Sequence, residues 1–400
     1  MKIVIAGNGL AGTLAAKALR ELDDRSEIVI LAAEGHPYYP RPNLIEYVAG
    51  TLPLNRLFAF PEKWYGDHRI ELRLSTPAAR LLPEERMVEI AGGERILYDA
   101  LLLATGASSF LPPLPGADRN GVFTLRTLDD ARRILEYRSG HPRAVVLGGG
   151  LLGLEIARAL RARGTEVEIV EFFPTLLPRQ LDPRGSEFLK AAVERLGVRV
   201  LLGRSTEEIL GEDEARGLRF KGGEEVPADM VIIAAGIRPN LELAWQAGLS
   251  TDRGVLVDDF LQTSSPGIFA AGDGIQHQGR IYGIIPASFE QARIAAANIL
   301  GQRTAYAGTT PSNTLKVAGI LLSTVGRSQA GPEDGEELRV EDPERGVYKK
   351  IVLERGKAVG AIWLGTKIGV AGITRAVQQN ADVRKWKSEL LNEEFDFTLI

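Results

Sequence analysis

The 400-residue chain predicts an α/β fold with two Rossmann-like dinucleotide-binding domains, the first discontinuous, and a C-terminal α+β domain on an antiparallel sheet. Three observations predict it. A β-branched run, a glycine-rich turn, an Ala/Leu-rich helix and an apolar strand ending in an acid occur in that order twice, over Ile3 to Glu34 and Ala144 to Glu171. Two more apolar strands, Ala100 to Ala104 and Met230 to Ala235, end at glycine turns followed by proline: Leu111-Pro112-Pro113-Leu114-Pro115-Gly116 reads as a stiff crossover, and Ile237-Arg238-Pro239-Asn240 as the return. After Pro311 the pattern changes to short strand-like runs. The expected division is therefore 1–110 with 238–310 as the first dinucleotide domain, 111–237 as the second, and 311–400 as the C-terminal domain.

In order along the chain, Ile3-Val4-Ile5-Ala6 is a buried strand leading into the turn Gly7-Asn8-Gly9-Leu10-Ala11-Gly12. Thr13 to Leu22 forms the helix, and Ile28 to Glu34 the second strand. The later copy has Gly148-Gly149-Gly150-Leu151-Leu152-Gly153, a helix to about Arg163, and the strand Glu166 to Glu171. In each copy the first glycine (Gly7, Gly148) makes the tight turn, the second (Gly9, Gly150) lets backbone approach a pyrophosphate, and the third (Gly12, Gly153) lets helix and strand pack closely. The helix N-terminus presents oriented N–H groups to the anion. Glu34 and Glu171 are placed to accept from ribose hydroxyls; taken singly, each also reads as a solvated residue at a strand end. One such motif is a weak signal, but two with their acids imply two nucleotide sites. In the C-terminal region the expected strands are Lys316 to Val325, Arg339 to Glu341, Val347 to Leu353 and Ala358 to Leu364, with a helix over about Gly369 to Ala381. The last fifteen residues carry no clear pattern.

The chain has no cysteine, which excludes disulfides, a redox-active thiol pair, thiolate-bound iron–sulfur clusters and cysteine-ligated zinc. Redox chemistry must then belong to a bound cofactor. The four histidines, His36, His68, His141 and His277, never fall at ligand spacing, so no metal site is expected. With 48 Lys+Arg against 52 Asp+Glu and no basic block, nucleic acid is not the expected partner. No run of apolar residues is long enough to span a bilayer, and Met1-Lys2 leads straight into a strand rather than a signal peptide; a cytoplasmic location is expected.

Further segments make the pattern specific: Ala104-Thr105-Gly106, Gly153-Leu154-Glu155, Ala235-Gly236-Ile237-Arg238-Pro239-Asn240 and Ile268-Phe269-Ala270-Ala271-Gly272-Asp273. With these, essentially the whole chain resembles the two-dinucleotide-binding-domain flavoprotein reductases, related in fold to glutathione reductase. Tyr38-Tyr39-Pro40-Arg41-Pro42-Asn43-Leu44, Thr314-Leu315-Lys316-Val317-Ala318-Gly319-Ile320 and Tyr348-Lys349-Lys350-Ile351-Val352 make it most similar to NADH:rubredoxin reductases and the flavin portion of nitrite reductase large subunits.

The resemblance implies that the first domain binds FAD and the second NAD(P)H. It implies that Gly272 and Asp273 meet the ribityl chain and pyrophosphate, that Arg41 and Pro42 line the flavin side, and that Thr105, Gly106 and Gly236 belong to the cofactor turns. Ala78 would meet adenine through its backbone, Arg126 the flavin phosphate region, and Ile285 the isoalloxazine. Arg41 also reads as a surface residue of a Pro-rich loop, and Arg126 as part of a helix-start turn with Asp129. Glu155 would fix the nicotinamide carboxamide; a carboxylate so near a helix N-terminus is also stabilised by the dipole alone. Phe172-Phe173-Pro174 after Glu171 offers no arginine to a 2′-phosphate, which favours NADH, with Arg179 as the opposing feature. Glu46 stands where many ferredoxin reductases of the family carry lysine.

The implied reaction passes hydride from NADH to flavin and electrons onward to a small redox protein such as rubredoxin, the enzyme being monomer or homodimer. Three alternatives stay open: a peroxide-forming NADH oxidase or free reductase, an electron-input subunit of a nitrite reductase, and an NADH-sensing protein like apoptosis-inducing factor. Lys349, Lys350, Lys357, Lys367 and Arg384-Lys385-Trp386-Lys387 could face an acidic carrier, or form a plain solvated surface.

Overall fold

Strands buried on both faces need continuous apolar sequence, and the two runs that open the glycine motifs supply it. In the computed structural model, which describes residues 1–309, 312–317, 319–331 and 335–400, they lie at the centres of two parallel sheets. The chain forms two units, one of Met1–Tyr47, Leu52–Ser108 and Ile237–Thr309, the other of Val48–Thr51, Ser109–Gly236 and Thr310–Ile400.

In the first unit, β1 (Lys2–Ala6) runs into helix α1 (Leu10–Leu22) and back into β2 (Glu27–Leu31). With β3 (Ile70–Arg73), β4 (Ala100–Leu103) and the strand Ile268–Ala270, the order is Ile268–Ala270, β4, β1, β2, β3, all parallel. Ile3, Val4 and Ile5 are fully buried, and α1 packs against the late helix Ile285–Ile299. A three-stranded antiparallel sheet begins at Ala78, with a bulge between Ala78 and Arg80.

The second unit repeats the plan. Its strands are β5 (Val122–Phe123), β6 (Arg143–Leu147), β7 (Glu166–Val170), β8 (Val198–Leu201) and β9 (Met230–Ile233), in the order β8, β7, β6, β9, β5 and all parallel. Its helices are α2 (Leu128–Tyr137), α3 (Leu151–Ala162) and α4 (Pro183–Arg195). The same unit holds the C-terminal antiparallel sheet of β10 (Ser312–Val317), β11 (Ile320–Gly326), β12 (Gly335–Asp342), β13 (Val347–Glu354) and β14 (Lys357–Leu364), ordered β10, β11, β14, β13, β12. Helix α5 (Val370–Gln378) packs on β14 and β11.

Three expectations need correction. The run Lys316 to Val325 is not one strand but parts of the antiparallel pair β10 and β11, with Val317 opposite Ile320 and a turn at Gly319; Ala318 lies outside the described residues, as does Pro311. Lys349 and Lys350 are buried, since β13 is an inner strand covered on both faces: Tyr348 and Lys350 face α4, while Ile351 and Leu353 join the core under α5. The final residues are not patternless in space. Phe397 is buried against α5, where a Cβ on Gly372 would strike its ring, and its carbonyl accepts from Arg375 at 3.0 Å.

Candidate functional site

The two glycine turns are built alike. Gly7 (φ +120°) and Gly148 (φ +116°) adopt backbone that side chains resist, and a Cβ on either would lie 2.2 or 2.4 Å from the carbonyl oxygen of Ala104 or Ala234 on the neighbouring strand's end. Gly12 and Gly153 each sit where a Cβ would come within 1.9 Å of the first glycine's carbonyl oxygen. These four glycines close the turn.

Gly9 and Gly150 differ in kind. Their backbone (φ −81°, ψ −169° and φ −79°, ψ −179°) is ordinary extended chain, and a Cβ on either would meet no protein atom within 4 Å. Glycine is therefore needed there neither for conformation nor for protein packing. The space lies at the start of α1 and α3, where no side-chain cap is formed among the described residues. A helix start with unsatisfied N–H groups and open room at its N-cap fits a pyrophosphate.

Side chains hold each turn. Asn8 accepts at its Oδ1 from Thr13 Oγ1 (2.9 Å) and from the buried Tyr65 hydroxyl (3.2 Å). In the second turn Glu171 takes that part. Its Oε2 accepts from the Gly149 N–H at 2.5 Å and its Oε1 from the Phe173 N–H at 2.8 Å, in a buried position. A carboxylate has about four lone-pair positions, so two remain for ribose hydroxyls. Phe172 and Phe173 follow as an exposed edge-to-face pair, and Arg179 is exposed.

Glu34 and Arg41 come together. Both Tyr39 and Arg41 donate to the Glu34 carboxylate, Arg41 also donates to the Tyr39 hydroxyl at 2.5 Å, and its guanidinium lies 4.9 Å from the Tyr39 ring centre. Arg41 is thus not a loose loop residue, while Pro42 is exposed at the turn leading into Asn43–Ala49. Thr105 and Gly106 are tied by Asn240: its side-chain amide donates to the Thr105 carbonyl at 2.8 Å and its backbone N–H to the Gly106 carbonyl at 3.0 Å. The Gly272 N–H donates to the buried Gln291 at 2.8 Å, and a Cβ on Gly272 would come within 3.0 Å of Ala11, which sets Gly272 beside the first turn. Ile285 is 48% exposed at the start of its helix.

Within the second unit, Glu155 pairs with Arg158 one turn on, at 3.0 Å. The Arg126 N–H donates to Asp130 at 3.0 Å; Asp130 also completes a capping box with Thr127 at the start of α2, and Asp129 pairs with Arg132. Gly236 (φ +101°) follows β9, and its carbonyl accepts from Phe110 at 2.9 Å. Four residues that hold these turns escaped the sequence reading: Asn8, Tyr39, Asn240 and Gln291. Asn8 and Tyr39 sit within quoted motifs, and Asn240 closes the Ile237-Arg238-Pro239-Asn240 return; polar residues inside otherwise apolar or glycine-rich runs were the available signal. Among the described residues no helix is long and apolar enough to cross a membrane.

Twin parallel sheets whose helix starts are open to a pyrophosphate define a protein built to bind dinucleotides. The chain belongs to the pyridine nucleotide-disulphide oxidoreductase family, whose model matches residues 1–297, and residues 311–381 match the rubredoxin NAD+ reductase C-terminal domain. It is 36% identical over 385 residues to a nitrite reductase [NAD(P)H] of Bacillus subtilis (strain 168), covering 96% of this chain and 48% of the relative. It is 30% identical over 371 residues to the NADH-rubredoxin oxidoreductase of Clostridium acetobutylicum, covering 92% of this chain and 93% of that one. The crystal structure of a ferredoxin reductase from Rhodopseudomonas palustris superposes with a TM-score of 0.90 at 28% identity, covering 100% of this chain and 99% of the other. The chain spans about half the length of the Bacillus nitrite reductase. It carries no cysteine, so the disulphide chemistry in the family's name has no thiol here.

Proposed function

We propose that the chain is a cytoplasmic enzyme that oxidises NADH and delivers the electrons to a small external redox protein such as rubredoxin. In this reading residues 1–110 and 238–310 hold FAD, 111–237 hold NADH, and 311–400 form the C-terminal domain. The observation that carries it is the pair of turns in which Gly9 and Gly150 leave room that the protein itself does not use. When bound, FAD takes two electrons as hydride and releases them singly, which suits a one-electron acceptor.

The chain's own residues bind and orient. The amides opening α1 and α3 receive the two pyrophosphates. The first turn is stiffened by Asn8, and Asp273, next to Gly272, accepts from the ribityl chain. Glu171 accepts from the adenosine ribose and repels a 2′-phosphate, which selects NADH over NADPH. Glu155, steered by Arg158, accepts from the nicotinamide carboxamide and so sets which face and depth the ring presents. The match of residues 311–381 to a rubredoxin reductase C-terminal domain supports a protein acceptor. A second reading, an electron-input partner to a separate nitrite-reducing chain, is favoured by the 96% coverage by a nitrite reductase of twice the length.

Anaerobic titration with NADH, and separately NADPH, while following the flavin absorption band, tests the reading. Bleaching by NADH at low excess, then prompt reduction of added oxidised rubredoxin, is expected. Bleaching without rubredoxin reduction would shift the assignment to the nitrite-reductase partner, and no bleaching by either nucleotide would sink both.

A further inference from the structure

The Tyr348-Lys349-Lys350 segment has no part in the proposed reaction, yet Lys350 is one of the most completely buried large side chains in the protein. Its Nζ donates to Asp182 at 2.8 Å and to Glu337 at 2.7 Å; the Tyr348 hydroxyl donates to the same Asp182 oxygen at 2.7 Å, and Arg339 donates to Glu337 at 2.5 Å. Burial works to raise Asp182, but Lys350, Tyr348 and the Gly185 N–H hold it below the usual carboxylate range. Taking such charges out of water offsets most of what their attraction contributes, so apolar side chains would join helix and sheet at least as firmly. What ion pairs add is register.

The register reaches the second glycine turn. Asp182 is the N-cap of α4 and accepts from the Gly185 N–H at 2.9 Å. Ser186, in the first turn of α4, accepts at Oγ from the Leu176 N–H at 2.7 Å. The next residue, Leu177, donates its N–H to the Gly149 carbonyl at 3.2 Å, and the Gly149 N–H is the one bound by Glu171. Leu176 also fills the place a Cβ on Gly149 would take, 2.6 Å from its Cδ2. One connected path thus runs from β13 through the start of α4 to the loop lying on Gly149.

We infer that Lys350 and Tyr348 are positioning residues for the pyridine-nucleotide site, holding the 176–182 segment so that Gly149 and Glu171 keep the shape NADH requires. The inference rests on the assignment of NADH to the second turn. It makes the C-terminal sheet a working part of nucleotide binding, in addition to any role it has toward an acceptor.

The test compares the flavin-loaded wild type with Tyr348→Phe and with the neutral triple variant Asp182→Asn, Glu337→Gln, Lys350→Met, in which Asn still caps α4. The expected result is a KM for NADH raised roughly three- to thirtyfold in the triple variant, with kcat held within about twofold. Tyr348→Phe should shift KM the same way and less, and stands in if the triple variant does not fold. Amide hydrogen exchange supplies a readout independent of turnover: Gly149 and Leu177 should exchange faster in the variants, while β1 and α1 do not change. A lowered melting temperature with unchanged KM and unchanged exchange at Gly149 and Leu177 would overturn the inference and leave the assignment of NADH intact. A wild type whose flavin NADH does not reduce would instead overturn that assignment, and the inference with it.

Discussion

Gly150 and Gly153 are three positions apart and are glycine for opposite reasons, which separates folding from binding at single residues. Gly150→Ala adds a methyl to open space at an uncapped helix start and should cost no more than about 1 kcal/mol of stability, while NADH binding falls sharply. Gly153→Ala drives a methyl into the Gly148 carbonyl and should cost roughly 1–3 kcal/mol or more. Thermal unfolding with and without NADH distinguishes them; equal melting temperatures for the two variants would contradict the reading of both positions. Glu171→Gln removes the charge and keeps an acceptor for only one of the Gly149 and Phe173 amides, since its NH2 group donates. Its ratio of kcat/KM for NADPH over NADH should rise about tenfold, and an unchanged ratio would place nucleotide discrimination elsewhere.

Legibility at this scale follows sequence distance. The glycine spacings were readable because a tight turn and the helix after it are fixed within six residues. Lys350 was not, since its partner Asp182 lies 168 positions away, and a lysine among alternating strand residues looks exposed until both faces of the strand are known to be covered.

At the scale of elements, the strands and helices of the two glycine units were legible because apolar runs and acid-terminated strands carry their own boundaries. The paired strands β10 and β11 were not, because the apolar run continues across their turn. The polar links between β12, β13 and α4 were also invisible, and they set a testable response to acid. Glu337 is pushed up by burial but held at about 2, below the ordinary 4.5, by Lys350, Arg339 and the Ala330 N–H. A carboxyl depressed on folding contributes stability that is fully present above its unfolded value and lost as pH falls through the folded one. Melting temperature should therefore fall as pH drops from 4.5 toward 2, and Glu337→Gln should fall less steeply there. Parallel losses in the two proteins would show that this carboxylate is not a determinant of the acid limit.

For the whole molecule, the exposed basic cluster near the end of the chain is already answered from within. Arg384 is paired with Asp382, Lys387 with Glu336, and Lys385 lies 4.8 Å over the Trp386 ring. Electron delivery to an acidic carrier should accordingly change by less than about threefold between low and physiological salt. A steep fall in turnover with salt would point to a charged docking face. The uncapped starts of α1 and α3 have a different consequence, set by mass action. An occupant that binds only the folded chain adds about 2.7 kcal/mol at a hundredfold excess over its dissociation constant. The protein's lifetime against proteases, and not only its turnover, should then track the nucleotide supply around it.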